Sequence, residues 1–172
     1  LEYIDLNLQK VLPFDKYKNN PRDSLLQNSY ISHLHKNHSG IWAATENGLF
    51  LLNEQEGILE HFTAPKDLPF NYIRYIHEDA DGTFWLATKG GGVIQWAVGS
   101  PEGVNGQFAG QSFRQFTTED GLSNNFIYAI FEDDFGRLWM SSDKGIMCMD
   151  KTNFQVRTYL TDDGLQHNEF NS

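Results

Sequence analysis

Short apolar runs, separated by clusters of Gly, Asn, Asp and Ser, recur along most of the chain. Residues 120–149 give the clearest example: a turn-rich entry, an apolar run, an acidic glycine turn and two further apolar runs. Runs of about four to six apolar residues bounded by turn formers predict β-strands, and they are too short to predict helices. We therefore expect this unit to form successive antiparallel strands.

The same unit occurs three times, with one tryptophan and two glycines in a fixed order. These anchors are Trp42, Trp85 and Trp139, then Gly40, Gly82 and Gly136, then Gly48, Gly92 and Gly145. A repeat of roughly 40–45 residues with about four short strands is typical of a β-propeller blade, which must stack on other blades to bury its faces. The sequence predicts an all-β chain of four-stranded antiparallel blades. Trp85 and Trp139 should be mostly buried between blades, each with its indole N–H bonded to a partner.

The repeats predict about three complete blades and two partial ones, as in a fragment of a larger propeller. The predicted divisions are the outer half of a preceding blade with a linker (1–25), blades at 26–66, 67–118 and 119–161, and the start of a next blade (162–172). The runs at 73–77 and 127–131 should be innermost strands and 113–116 an outermost strand. Residues 97–112 are rich in Gly, Pro and Asn, which predicts an inserted, solvent-exposed loop in the second blade.

Charge and composition exclude several classes of function. The 172 residues carry a formal net charge of −10 with a pI near 4.9, which opposes binding to nucleic acid or an anionic membrane surface and leaves neutral or cationic ligands. The single cysteine, Cys148, excludes an internal disulfide, and its apolar surroundings predict a buried thiol. No apolar run is long enough to predict a transmembrane helix.

Two groups of side chains could carry catalysis or bind a metal, and both have a structural interpretation. Acidic residues cluster at 78–81 and 132–134, where paired carboxylates could cleave a glycosidic bond, but the clusters share one repeat position and are better explained as turn residues. The imidazoles of His33 and His35 could share one strand face and bind zinc with His38, yet no further ligand stands at suitable spacing. We predict no catalytic residue, no metal and no cofactor, and we interpret Gly90–Gly92 as a hairpin turn.

Polar and aromatic residues in the loops that lead into each blade, and in the loops between second and third strands, are the candidate ligand-binding groups. In a propeller both loop types lie on one face near the axis. The candidates are Asn71, Tyr72, Lys89, Asn124, Asn125, Lys144 and His167. Amide and aromatic side chains suit sugar-like ligands, which offer hydroxyls and a flat apolar face. The alternative is that each Asn only caps its own turn.

The motif G-L-x-x-N-x-[IV]-x-x-I-x-E-D-x-x-G-x-[LF]-W-[ILM]-x-[TS]-x-x-G-[ILV] resembles the two-component regulator propeller repeat. It is fullest at 121–146, carries one added glycine at 68–93, and lacks the acidic pair at 26–49. The resemblance implies a periplasmic, non-catalytic sensor segment of a membrane-anchored hybrid histidine kinase, as in Bacteroidetes-like bacteria, where many members sense oligosaccharides. It also implies contacts with neighbouring blades and domains of a parent protein.

Two other classes of function stay open at this stage. One is a propeller lyase or glycosidase that uses Glu132, Asp133 and a histidine as acid and base. The other is a scaffold that only mediates dimerisation. Because an arc of blades exposes apolar flanks, we also expect the chain to form a homo-oligomer, as a symmetric dimer that covers those flanks.

Overall fold

The computed structural model describes residues 2–5, 10–13, 25–26, 28–53, 57–97, 113–167 and 169–170. The predicted inserted loop falls almost wholly on 98–112, outside the described residues. Between Tyr30 and Tyr159, the described part of the chain contains one helical segment, a single-turn 3-10 helix at Thr118–Asp120. The strong β signal of the sequence is therefore confirmed.

Among the described residues, fourteen strands form one hairpin and three antiparallel sheets of four strands each. They are β1 (Glu2–Asp5), β2 (Lys10–Pro13), β3 (Ile31–Asn37), β4 (Gly40–Thr45), β5 (Gly48–Asn53), β6 (Gly57–Phe62), β7 (Ile73–Glu78), β8 (Thr83–Thr88), β9 (Val93–Ala97), β10 (Phe113–Phe116), β11 (Ile127–Glu132), β12 (Arg137–Ser142), β13 (Gly145–Asp150) and β14 (Val156–Tyr159). The strands pair in sequence order in each sheet, so β3–β6, β7–β10 and β11–β14 are three consecutive blades, here called blades 1, 2 and 3.

The first strands of the blades lie side by side, β3 against β7 and β7 against β11, while β10 is the far edge of its sheet. The predictions for the innermost and outermost strands are thus confirmed. Polar side chains link these inner strands directly: the Ser32 hydroxyl donates to the carbonyl oxygen of Ile73 at 2.6 Å, and the His33 and Tyr75 rings stack with centroids 3.9 Å apart. Blades 1 and 2 are therefore linked along their inner strands.

The antiparallel register places two kinds of loop at opposite ends of the blades. Strand 1 begins beside the end of strand 2, and strand 3 begins beside the end of strand 4, as the pairs Ile73 with Thr88 and Val93 with Phe116 show. We call the end that carries the turns between strands 2 and 3 and the connections between blades the entry end. The other end carries the turns at 78–83 and 132–137, and we call it the acidic end.

Apolar side chains from facing sheets form the core between blades. Trp42 packs with Phe84 and Trp96 between blades 1 and 2, and Trp85 packs with Leu138 between blades 2 and 3. Trp42 and Trp85 are each only 1% exposed, which confirms the prediction for Trp85.

Trp139 is less buried than Trp42 and Trp85, although most of its surface is covered. It lies on the flank of blade 3 that no further blade covers within the described part of the chain. Phe131, on the inner strand of the same blade, is 70% exposed. The sequence repeat fixed the position of this tryptophan in its blade but not the presence of a neighbour.

One aromatic pair recurs in every blade. The tryptophan of strand 2 stacks on the last aromatic ring of strand 4, with centroid distances of 5.7, 6.0 and 5.5 Å in blades 1, 2 and 3. The partners are Trp42 with Phe62, Trp85 with Phe116, and Trp139 with Tyr159. This ring stack links the second strand to the edge strand and stabilises the sheet.

Candidate functional site

At the acidic end, the turn residue that follows strand 1 accepts the indole N–H of the blade's tryptophan. The pairs are Asn37 with Trp42 at 3.2 Å, Asp79 with Trp85 at 3.0 Å, and Asp133 with Trp139 at 2.7 Å. The predicted indole partners are thus found. Asp133 also accepts backbone N–H groups, and hydrogen bonds from Arg137 above all lower its pKa. These hydrogen bonds show that the acidic turn residues have a structural role.

A second set of contacts at this end joins neighbouring blades. His35 of blade 1 bonds Glu78 of blade 2, and His77 at the same position of blade 2 bonds Glu132 of blade 3 with Nε2 and Oε2 3.1 Å apart. Lys151 reaches from the last turn of blade 3 to Asp79 at 2.6 Å and to Glu132. Glu132 is thus held by two partners, and it is not a free acid or base of the kind a glycosidase needs.

Metal binding has one geometric candidate here, since donor atoms of His77, Asp79 and Glu132 lie within 4.8 Å of one another. The ammonium group of Lys151, however, binds both carboxylates. Burial raises the pKa of Asp79, but hydrogen bonds from Lys151 and Trp85 outweigh it, and the net pKa is lowered. Burial alone would lower the pKa of Lys151, and its two carboxylate partners raise it. A lysine thus supplies the positive charge that this cluster needs.

The lowered pKa of Asp79 predicts a pH-dependent stability that Lys151 controls. A carboxyl whose folded pKa lies below its unfolded value of 3.8 stabilises the fold above that pH, and the contribution is lost as the pH falls through the folded pKa. We expect Lys151→Met to flatten the rise in the free energy of unfolding between about pH 2 and pH 5. Urea unfolding across that range measures it, with Lys36→Met, at an exposed site on β3, as the control. Equal slopes for wild type and Lys151→Met would contradict the assignment.

The histidines that the sequence singled out serve the contact between blades 1 and 2. The Nδ1 atom of His33 accepts the backbone N–H of Ile76 at 3.3 Å, and burial followed by the nearby His35 lowers the pKa of His33. His33 and His35 do share a strand face, as predicted. Each already has a partner on blade 2, while His38 is exposed in the adjoining turn.

All seven predicted ligand-binding residues lie at the entry end. The three asparagines hold the loops in shape: the Oδ1 atoms of Asn71, Asn124 and Asn125 accept the backbone N–H groups of Ala64, Phe126 and Thr118 at 2.6, 2.6 and 2.9 Å. Asn71 and Asn125 occupy one repeat position and make the same contact across their connections. The capping interpretation thus explains the amide oxygens of all three.

The remaining four candidates are more available to a ligand. Lys89 is exposed, and its Nζ lies 5.1 Å from the centroid of the half-buried Tyr72 ring. Lys144 is exposed, and its carbonyl oxygen accepts the Ser123 hydroxyl at 2.6 Å. His167 is exposed, and its Nδ1 is 2.9 Å from the carbonyl oxygen of Glu169.

Backbone contacts connect these groups along the entry end. The carbonyl oxygen of Asn125 accepts the N–H groups of Gly90 and Gly92 at 3.0 and 2.9 Å, and Lys89 forms a β-bridge with Phe126. The turn at Gly90–Gly92 is a hairpin turn, as predicted, and it is clamped by the connection that leads into blade 3. The structure therefore brings Tyr72, Lys89 and Asn125 together, while Lys144 belongs to the equivalent turn of blade 3.

Sequence reasoning missed a polar group on the inner strands at the entry end. The Tyr128 hydroxyl donates to Asp143 at 2.7 Å, and the guanidinium carbon of Arg74 lies 5.3 Å from the centroid of the Tyr128 ring. Burial first, and then the hydrogen bond to Asp143, raise the pKa of Tyr128. Neither Arg74 nor Tyr128 belongs to the repeat motif, so no recurring signal pointed to them.

Comparison with known proteins gives these repeats a family. The two component regulator propeller family matches residues 67–90 and 121–144, which contain the first two strands of blades 2 and 3. Blades 2 and 3 are thus similar to two component regulator propeller repeats over these residues, in agreement with a fold of consecutive propeller blades. No curated protein matches its sequence.

Solved structures from B. thetaiotaomicron share this fold. The extracellular domain of the hybrid two component system BT3049 superposes with a TM-score of 0.73 over 98% of this chain at 23% identity. The extracellular domain of the hybrid two component system BT4673 superposes with a TM-score of 0.63 over 77% of this chain at 23% identity. Another structure of BT4673, described as a one component system, superposes with a TM-score of 0.64 over 97% of this chain at 21% identity. The chain spans 21%, 19% and 23% of those three chains, about a fifth of their length. Within the described residues, no helix is long and apolar enough to span a membrane.

Proposed function

We propose that this chain is a ligand-sensing, non-catalytic segment of the periplasmic sensor region of a hybrid two-component system, and that its entry end recognises an oligosaccharide. The match of two blades to the two component regulator propeller family carries this proposal. The likeness to extracellular domains described as parts of such systems agrees with it. The parent protein would be a membrane-anchored histidine kinase.

The entry end has the chemistry that an oligosaccharide requires. Tyr72 offers an aromatic face, Lys89 and Lys144 offer ammonium donors, and His167 offers an exposed imidazole. Sugars bind by stacking their apolar face on an aromatic ring while polar groups bond their hydroxyls. The asparagine caps hold these side chains on fixed loops, which lowers the entropic cost of binding.

Contacts between blades offer a path from the ligand to the kinase output. A ligand that bridges the loops of blades 2 and 3 favours one arrangement of these blades over others only if it binds that arrangement more tightly. The His77–Glu132 and Lys151–Asp79 contacts couple the same two blades at the opposite end. We propose that ligand binding is transmitted to the rest of the parent protein through these contacts.

Tyr72→Ala is expected to weaken oligosaccharide binding about 10-fold or more while leaving the fold intact, because loss of an aromatic stacking surface costs roughly 1–3 kcal/mol. A glycan microarray screened with the wild-type chain selects the ligand, and calorimetry then compares the variants. Phe135→Ala is the matched control, since Phe135 is an aromatic residue 82% exposed at the acidic end.

Two results would contradict this assignment. One is a wild-type chain that binds no oligosaccharide on the array. The other is a loss of affinity in Phe135→Ala that equals the loss in Tyr72→Ala, since that would place the ligand elsewhere or show a general effect on the fold.

Self-association is a further part of this proposal. Phe131 stands where His35 and His77 bond the following blade, and it is 70% exposed beside the half-buried Trp139. We propose that the isolated chain dimerises symmetrically through this flank of blade 3, since exposed apolar patches drive association. Light scattering at micromolar concentration should show a dimer that Phe131→Asp converts to monomer. A wild-type monomer of 19.7 kDa would contradict it.

A further inference from the structure

The first strand of every blade contains a β-bulge at the same place near the entry end. The register shifts between Ile31 and His33, between Ile73 and Tyr75, and between Ile127 and Ala129. The residues at the bulges are Ser32, Arg74 and Tyr128. A bulge turns its side chain out of the regular alternation of the strand, and such bulges commonly occur next to binding sites.

The backbone repeats at this position, but the side chains do not. The Ser32 hydroxyl donates to the carbonyl oxygen of Ile73 at 2.6 Å, and the carbonyl oxygen of Ala44 lies 3.1 Å away as an alternative acceptor. Tyr128 donates its hydroxyl to Asp143. A side chain with a hydroxyl group is therefore sufficient at the bulge position, and the fold of a blade does not require an arginine at that position.

Arg74 differs from both in its hydrogen bonding. Its guanidinium is half-buried against the Tyr128 ring, and its Nε–H is buried without a hydrogen-bond partner among the described residues. A buried donor without a partner costs free energy, so such a group in a native protein calls for an explanation, and an absent ligand is one. A guanidinium presents planar pairs of N–H donors that match a carboxylate in a bidentate way.

We infer that Arg74 anchors a carboxylate group of the ligand at the axial part of the entry end, so that the oligosaccharide recognised there is an acidic one. This inference rests on the proposed function and names the chemical class of its ligand. The Tyr128 ring holds the guanidinium plane in position, and a carboxylate that bonds the Nε–H and one Nη–H side by side supplies the partner that the Nε–H lacks.

The surroundings of Arg74 allow an anion despite the acidic composition of the chain. Lys89 and Lys144 are exposed on the neighbouring turns of the entry end. Asp143 is the nearby acid, and one of its oxygens already accepts the Tyr128 hydroxyl. The negative charge of Glu169 also contributes to the raised pKa of Tyr128. We expect the same charge to repel an anionic ligand that extends toward blade 3. The connections between blades add Glu119, Asp120, Asp162 and Asp163 to the entry end, so an anion there depends on Arg74 and the two lysines for its positive surroundings.

The test uses two probes that differ only in the carboxylate, methyl β-D-glucuronide and methyl β-D-glucoside. Each is titrated into the ¹⁵N-labelled chain while the arginine Nε–H signals and the backbone amides are followed by NMR. We expect the glucuronide, and not the glucoside, to shift the Arg74 Nε–H signal. Arg74→Gln should weaken glucuronide binding about 10-fold or more, the loss expected for hydrogen bonds to a charged group.

Arg114→Gln is the matched control, since the Arg114 guanidinium lies between the Phe116 and Phe154 rings, 4.5 and 4.1 Å from their centroids, on the outer strand. It should leave glucuronide binding unchanged. Shifts at the entry end by both probes without any response of Arg74 would overturn the inference and leave the proposed function standing. Absence of any response to the glucuronide, or equal binding by Arg74→Gln, would also overturn it, and the array result decides the proposed function separately.

Discussion

Trp85→Ala should lower the free energy of unfolding by about 3–5 kcal/mol, the range observed when a large aromatic side chain is removed from a core. Trp85 is 1% exposed, stacks on Phe116, and packs against the facing sheet of blade 3. Its loss leaves a cavity between two blades and also removes the indole donor of Asp79, which lies 3.0 Å away. Urea unfolding followed by far-UV circular dichroism measures the change.

The natural control for this prediction lies in the neighbouring blade. Trp139 makes the same stack and the same indole hydrogen bond in blade 3, but it is half-buried because no further described blade covers it. Trp139→Ala should therefore cost roughly half as much or less on the same area-based reasoning. A loss in the free energy of unfolding under about 1 kcal/mol for Trp85→Ala, or one no larger than that for Trp139→Ala, would contradict the burial of Trp85 between blades 2 and 3.

Gly92→Ala should lower the free energy of unfolding by about 3 kcal/mol or more, from two causes that add. Gly92 has a φ of +74°, where a residue with a Cβ is strained, and a Cβ there would lie 1.9 Å from the carbonyl oxygen of Phe116. The carbonyl belongs to the edge strand and cannot move without breaking its ladder. Thermal and urea unfolding both measure this loss.

A substitution at Gly82, in the same blade, measures the backbone strain without the steric clash. It has a φ of +84°, and a Cβ at that position meets nothing within 4 Å. Gly82→Ala should show only the backbone strain of about 1–2 kcal/mol. Equal losses for Gly82→Ala and Gly92→Ala would mean that the close approach of strands 3 and 4 does not exist.

The recurring anchors explain why the fold could be predicted from the sequence. Each tryptophan and each glycine at the start of a third strand makes the same contact in each blade, as the Phe62, Phe116 and Tyr159 partners show. Contacts that every blade needs leave a periodic signal, and the periodicity locates the strands. The difference in burial between Trp85 and Trp139 could not be predicted, because burial depends on a neighbouring blade, which the repeat itself does not encode.

The candidate site was only partly visible in the sequence for the same reason. The entry end could be located because its loops occupy fixed places in the repeat, and Asn71 and Asn125 recur there as caps. Arg74 and Lys151 act across blades, at positions where the other blades carry different residues. Contacts of this kind leave no periodic signal, so they become evident only once the blades are placed side by side.

Hydrogen exchange measured with and without the oligosaccharide selected on the array tests most directly whether the entry end is the ligand-binding surface. We predict that the ligand slows exchange most in the connections and turns around Tyr72, Lys89 and Lys144, and changes it less in the acidic turns at 78–83 and 132–137, which the ligand reaches only through the contacts between blades. Protection confined to the acidic turns, with none at the entry end, would contradict the account.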